Sequence, residues 1–198
     1  MKNIRLTVWI GIMCGWLAAG MLQAGTRPDN ARPAEEDGSR LWLPVMRPVE
    51  GAEVEVIYKG KVSPTIAVAI AELKNAWKGE PVLLEKKRTG QGDGFAITSS
   101  EHQVRILSST EAGLLYGVYS LLRMQAVGQV TVPLSVTEQS VYDLRILNHW
   151  DNPDGTVERG YAGCSLWNWE ELPGTLSPRY EAYARANASV GINGTVLN

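Results

Sequence analysis

Cysteine is almost missing from this 198-residue sequence, with Cys14 and Cys164 as its two occurrences. Cys14 lies inside an apolar N-terminal run and is expected to leave with it, and its Gly11-Ile-Met13 context is unlike a lipoprotein box. Cys164 then remains alone, which excludes an internal disulfide framework. No His or Cys accompanies it at metal-ligand spacing, so neither a metal nor another cofactor is expected. Nothing visible lowers its pKa, and it reads as a small buried residue. Cationic stripes are also missing. Losing Lys2 and Arg5 leaves 17 basic against 21 acidic residues, a net charge of -4. That balance excludes nucleic acid as a partner. The one long apolar run is too short to span a bilayer, so no membrane association is expected after its removal. Gly90-Gln-Gly-Asp-Gly94 has the glycines of a phosphate cradle without its spacing or following helix, and reads as a plain connection.

What is present begins with a targeting segment. Lys2 and Arg5 precede an apolar stretch from Leu6 to Leu17, and small residues follow at Ala18-Ala-Gly20 and Ala24. Residues 1–24 therefore read as a signal peptide, and the absence of disulfides in an exported chain fits a bacterial periplasmic or extracellular protein. Residues 25–39 are rich in Pro, Asp, Glu and Arg and read as a flexible mature N-terminus. Trp42, in the apolar hook Arg40-Leu-Trp-Leu43, reads as an anchor.

Residues 40–127 are expected to form a small mixed α+β domain. Glu53–Tyr58 alternates as a strand. Ser63-Pro64 supplies an N-cap and a first helical residue, Ile66, Ile70, Leu73 and Trp77 follow at helical spacing, and Lys78-Gly79 closes the helix. Pro81–Leu84 starts the next strand. Phe95–Thr98 and Gln103–Leu107 form a hairpin that leaves His102 solvated at its turn. Thr110 caps a second helix, in which Gly113 and Gly117 predict close approach to the sheet. Residues 128–142 read as a linker.

The richest chemistry lies in Leu144-Arg-Ile-Leu-Asn-His-Trp-Asp-Asn152 and the residues through Gly163. An apolar run turns abruptly into His149, Trp150, Asp151 and Asn152, followed by the turn signal Pro153-Asp154-Gly155. Such a run reads as a buried parallel strand ending at a functional face. A polar corner whose groups satisfy only one another is the structural alternative. Trp167 and Trp169 read equally as sugar platforms or as pins for the loop. Ser177-Pro178 begins a helix through Tyr180, Tyr183, Ala184 and Asn187, and Val190–Leu197 turns into a second strand.

Arg145–Asn152, Asp154-Gly155 and Glu158-Arg-Gly-Tyr-Ala-Gly163 together resemble the start of the catalytic barrel of family 67 glycoside hydrolases, the xylan α-glucuronidases. Thr110–Arg123 is similar to the last helix of the small domain that precedes the barrel in that family and in several other exo-acting families. The resemblance implies an α/β fold in which residues 143–198 open a (β/α)8 TIM barrel that is incomplete here, since closure needs eight strands and typically ~250 residues. It implies the front part of an exo-acting, inverting enzyme that removes glucuronic acid or its 4-O-methyl ether from xylo-oligosaccharides. The paired carboxylates of inversion would lie beyond residue 198, leaving this chain inactive alone, and homodimerisation would use parts outside it. By the same resemblance Trp150 lines the glucuronic-acid pocket. Asp151 and Asn152 position sugar hydroxyls or brace the strand end, and Arg159 meets the uronate or forms a structural ion pair. His149 is a hydrogen-bonding partner behind them. A non-catalytic carbohydrate-binding or scaffold fragment and a hexosaminidase-like exo-glycosidase are the competing readings.

Overall fold

The computed structural model describes Leu43, residues 54–88, Gly90 and residues 92–197. The leader 1–24, the segment 25–39 and the Trp42 anchor lie outside the described residues. β1 (Val56–Tyr58), α1 (Pro64–Ala76), β2 (Val82–Lys86), β3 (Phe95–Ser99), β4 (Val104–Ser108), α2 (Glu111–Ala126) and β5 (Ser135–Glu138) follow in chain order. The five strands form one mixed sheet in the order β1-β2-β4-β3-β5. β1, β2 and β4 are parallel, and β3 runs antiparallel between β4 and β5. The small mixed α/β domain expected from the sequence is thus observed.

Local chemistry sets these elements. Ser63 Oγ accepts the Ile66 N–H at 3.3 Å, and Thr110 Oγ1 accepts that of Gly113 at 3.0 Å, so both helices begin on side-chain caps. Strand alternation sends Val82, Leu84, Ile97, Val104 and Ile106 to one buried face. Ile66 and Leu73 of α1 and Leu114, Val118, Leu121 and Leu122 of α2 complete that core. Gly117 lets α2 lie directly on the sheet, since a Cβ there would stand 2.5 Å from Ile106 Cγ2. At Gly113 the added carbon would meet Ser108 Oγ at 2.1 Å.

Two expectations change. α1 ends at Ala76, before the Lys78-Gly79 closure, because Trp77 leaves the helix in extended geometry and buries its indole. Its Nε1–H donates to the Glu80 carbonyl at 2.8 Å. Gly79 instead makes room for that ring, since a Cβ would sit 2.3 Å from it. Within 128–142, the expected linker, Ser135–Glu138 pairs with β3 as an edge strand. Pro133 cannot donate to a ladder, so pairing starts just after it. The Leu134 N–H instead meets Ser99 Oγ at 2.7 Å.

The rest of the chain is a parallel crossover: β6 (Ile146–His149), α3 (Pro178–Ser189) and β7 (Gly194–Leu197). Ile146 pairs with Gly194 and His149 with Leu197. The strand expected to be buried is not: Ile146 is 45% and Leu147 37% exposed, since a two-stranded ladder leaves apolar surface uncovered. The described residues contain this one crossover and no closed barrel.

Three arginines tie the crossover to the first domain. Arg185 of α3 bridges Glu72 of α1 at 2.5 Å and donates to the Leu43 carbonyl at 2.7 Å. Arg123 of α2 donates to the Ser189 carbonyl. Arg145 pairs with Asp93, donates to the Gly191 carbonyl at 2.5 Å and lies over the Tyr116 ring. The glycine-rich loop at 90–94, expected to be a plain connection, therefore carries one side of an ion pair.

Candidate functional site

The loop that leaves β6 folds back on itself at once. Asn152–Gly155 is a β-turn with Pro153 at its second position, closed by the Gly155 N–H on the Asn152 carbonyl at 3.0 Å. Asp154 Oδ1 accepts the Thr156 hydroxyl at 2.7 Å and the Thr156 N–H at 2.9 Å. Those two bonds, the hydroxyl's first, hold the Asp154 carboxyl below its usual range. Antiparallel bridges join Asp151 to Val157 and Thr156 to Cys164. Asn152 locks the fold-back, its amide nitrogen donating to Thr156 Oγ1 and the Glu158 carbonyl, each at 2.8 Å.

These bonds shape an open cleft of about 380 Å³ lined by Asn148, His149, Trp150, Asp151, Val157 and Glu158. Alternation divides the residues of the strand end. Trp150 is 60% exposed, whereas Asp151 is 5% exposed. Glu158 holds a left-handed backbone, φ 56°, and its N–H donates to the Trp150 carbonyl at 2.7 Å. Its carboxylate accepts the Tyr161 hydroxyl, which raises that phenol's pKa.

Behind the cleft, His149 is enclosed by aromatics. Its ring stands edge-on to Trp167 at 5.6 Å and to Tyr183 at 5.4 Å, while Trp167 stacks on Tyr180 at 5.0 Å. His149 Nε2 lies 2.5 Å from the Tyr183 hydroxyl, and its Nδ1 is 3.3 Å from Asp151 Oδ2. Of the two readings of Trp167, the structure displays the pin. It fastens the loop to α3, whose Tyr180 hydroxyl accepts the Asn168 N–H at 2.9 Å.

The structure therefore gathers Trp150 and Asp151 at one cleft, with Asn152 shaping the loop beside it. Arg159 is exposed and forms no ion pair with another described residue. Cys164, expected to be buried, is exposed because its bridge to Thr156 lies on the outer limb of the fold-back. Sequence reasoning gave no role to Tyr183 as a partner of His149. The available signal was Tyr180 and Tyr183, one helical turn apart behind a tryptophan loop. The carboxylates at the cleft do not form a reactive pair: Asp151 is enclosed beside His149, and Glu158 is hydrogen-bonded by Tyr161. What remains is an open cleft with one flat aromatic face and polar groups around it.

Residues 124–198 match the glycosyl hydrolase family 67 middle domain. The chain is 38% identical over 106 residues to "Alpha-glucuronidase A" of Aspergillus tubingensis, a match covering 54% of this chain and 12% of that protein. It is 42% identical over 107 residues to "Probable alpha-glucuronidase A" of Neosartorya fischeri, again covering 54% and 12%. The chain thus spans about an eighth of the length of these relatives, and both come from fungi, which lends no support to a bacterial source. Among solved structures, a GH138 enzyme targeting pectin rhamnogalacturonan II has a TM-score of 0.43 at 16% identity, over 50% of this chain and 17% of that one. The matched segment contains β6, its loop, α3 and β7, and over it the chain is similar to glycosyl hydrolase family 67.

Proposed function

We propose that the chain is the N-terminal part of an exo-acting, inverting α-glucuronidase that releases glucuronic acid, or its 4-O-methyl ether, from xylo-oligosaccharides. The observation that carries this reading is an exposed tryptophan beside polar groups at the carboxyl end of a parallel strand, inside the segment that matches family 67. In this reading β6 and β7 are the first two strands of a (β/α)8 barrel, whose sites gather at the carboxyl ends of its strands. Export by the leader at residues 1–24 belongs to the same reading.

The chain's own residues bind and orient. The Trp150 indole offers a flat apolar face to a sugar ring. Arg159, exposed and unpaired among the described residues, meets the uronate carboxylate as a fork of donors. Asp151 and Asn152 set the loop and accept sugar hydroxyls. Inversion needs an acid on the leaving-group side and a base that activates water on the opposite face. Those two carboxylates belong to parts of the full-length enzyme outside this chain, so the 198 residues bind without turnover.

The test is a titration of the purified chain with xylo-oligosaccharides bearing 4-O-methylglucuronic acid, followed by NMR. Binding is expected, abolished by Trp150→Ala and weakened about tenfold by Arg159→Ala, the scale of one charge-assisted hydrogen bond. Undecorated xylo-oligosaccharide should bind more weakly, with no change on Arg159→Ala. Equal affinity for both sugars would overturn the uronate assignment, and release of glucuronic acid by the chain would overturn its inactivity.

A further inference from the structure

Asp151 Oδ2 is enclosed, with no hydrogen-bond partner among the described residues. The Asp151 side chain is 4% exposed, and His149 Nδ1 lies 3.3 Å from that oxygen. On the other side of the same ring, Nε2 lies 2.5 Å from the Tyr183 hydroxyl, which in turn is 3.4 Å from Thr195 Oγ1. Four side chains from β6, its loop, α3 and β7 thus form one line: Asp151, His149, Tyr183, Thr195.

The direction of that line follows from which ring nitrogen carries the proton. A neutral imidazole has one donor and one acceptor nitrogen. With the proton on Nε2, Nδ1 would turn a lone pair toward an enclosed carboxylate oxygen that has no other donor. A buried acceptor left that way costs roughly 1–3 kcal/mol. With the proton on Nδ1, an N–H and not a lone pair faces that oxygen across 3.3 Å, and Nε2 accepts from the Tyr183 hydroxyl. The partner of one nitrogen thereby fixes the role of the other.

We infer that Tyr183 is a positioning residue for the cleft: by donating its hydroxyl proton to His149 Nε2 it holds the ring as the Nδ1–H tautomer, with that proton toward Asp151. Trp150 lies between the two residues so held. Securing His149 and Asp151 on the inner side of the strand end sends the indole outward into the cleft. The importance of this placement rests on the sugar-site reading above, but the tautomer itself does not.

The measurement therefore uses no sugar. The chain has two histidines, and His102, exposed at its hairpin turn, serves as the internal reference. In the uniformly 15N-labelled chain at neutral pH, long-range 1H–15N correlation should show His149 with a protonated Nδ1 and a hydrogen-bonded, unprotonated Nε2. Tyr183→Phe should move the Nε2 resonance toward the value of a free acceptor nitrogen, with an unchanged far-ultraviolet circular dichroism spectrum. Thr195→Val, which leaves the ring contacts of Tyr183 in place, should move it by a smaller amount and provides the second variant if the first does not fold. An Nε2–H tautomer in the parent chain, a doubly protonated ring, or an Nε2 resonance identical in the parent and both variants would overturn the inference. Loss of sugar binding with the tautomer intact would count against the proposed function alone.

Discussion

The five-stranded layer and the crossover that follows it use similar residues to opposite effect. In the first, apolar side chains from three strands and two helices reach nearly zero exposure, and the buried polar group Ser108 donates to the Gly94 carbonyl at 2.7 Å. In the second, Ile146, Leu147 and Val196 stay exposed, while the enclosed residues are polar or aromatic: Asp151, Asn187, Ser189 and Tyr180. The first region is a core in the energetic sense. The second is a scaffold whose side chains hold one another's direction, tied to its neighbour through Arg123, Arg145 and Arg185. The family-matched segment thus holds the cleft, while the layer before β6 holds most of the buried apolar side chains.

The sharpest way to separate the two is to damage the core. Leu121→Ala removes a fully buried side chain from α2 and should cost about 2–5 kcal/mol, read as a lowered urea midpoint with the crossover lost in the same transition. Cutting a tether should produce the reverse pattern. Glu72→Ala leaves the Arg185 guanidinium, 18% exposed, facing Tyr119 and the Leu43 carbonyl without its carboxylate. A loss of about 1–3 kcal/mol is expected, with hydrogen exchange accelerating across β6 and β7 more than in β2 and β4. Uniform acceleration would show that the regions are not energetically distinct.

The smallest effect is a pH dependence confined to the loop. The Asp154 carboxyl is depressed by the Thr156 hydroxyl and N–H. Its contribution is therefore complete above the unfolded carboxyl value and is lost as pH falls through the lower folded value. Thr156 amide exchange should rise selectively over that acid range, ahead of the five-stranded sheet. Amides of both regions responding together would argue against a local cause.

The layer was legible because each of its signals is local. Ser63-Pro64 and Thr110 announce helix starts, alternation announces β2 through β4, and Gly113 and Gly117 announce close contact. β5 escaped because four residues following a proline carry little period, and its place was set by the open edge of β3. At the cleft, His149 through Asn152 stood out as an abrupt change of chemistry, yet their separation into exposed Trp150 and enclosed Asp151 depends on a fold-back stabilised by Asn152. Tyr183 and Arg145 act on partners 34 and 52 positions away, and no local pattern encodes such distances. The crossover itself followed from caps and apolar runs, whereas the exposure of its strands depends on tertiary neighbours.

Glu158 is the one described residue other than glycine with a positive φ. A residue with a Cβ in the left-handed region carries a conformational cost of about 1 kcal/mol that glycine would avoid. The loop already uses glycine in that region at Gly155, Gly160 and Gly163, so the chain has that solution at hand on either side. A carboxylate occupies the position instead, at the lip of the cleft and hydrogen-bonded by Tyr161. The lip of the cleft is thus held by a carboxylate-bearing residue at a conformational cost that glycine at position 158 would relieve.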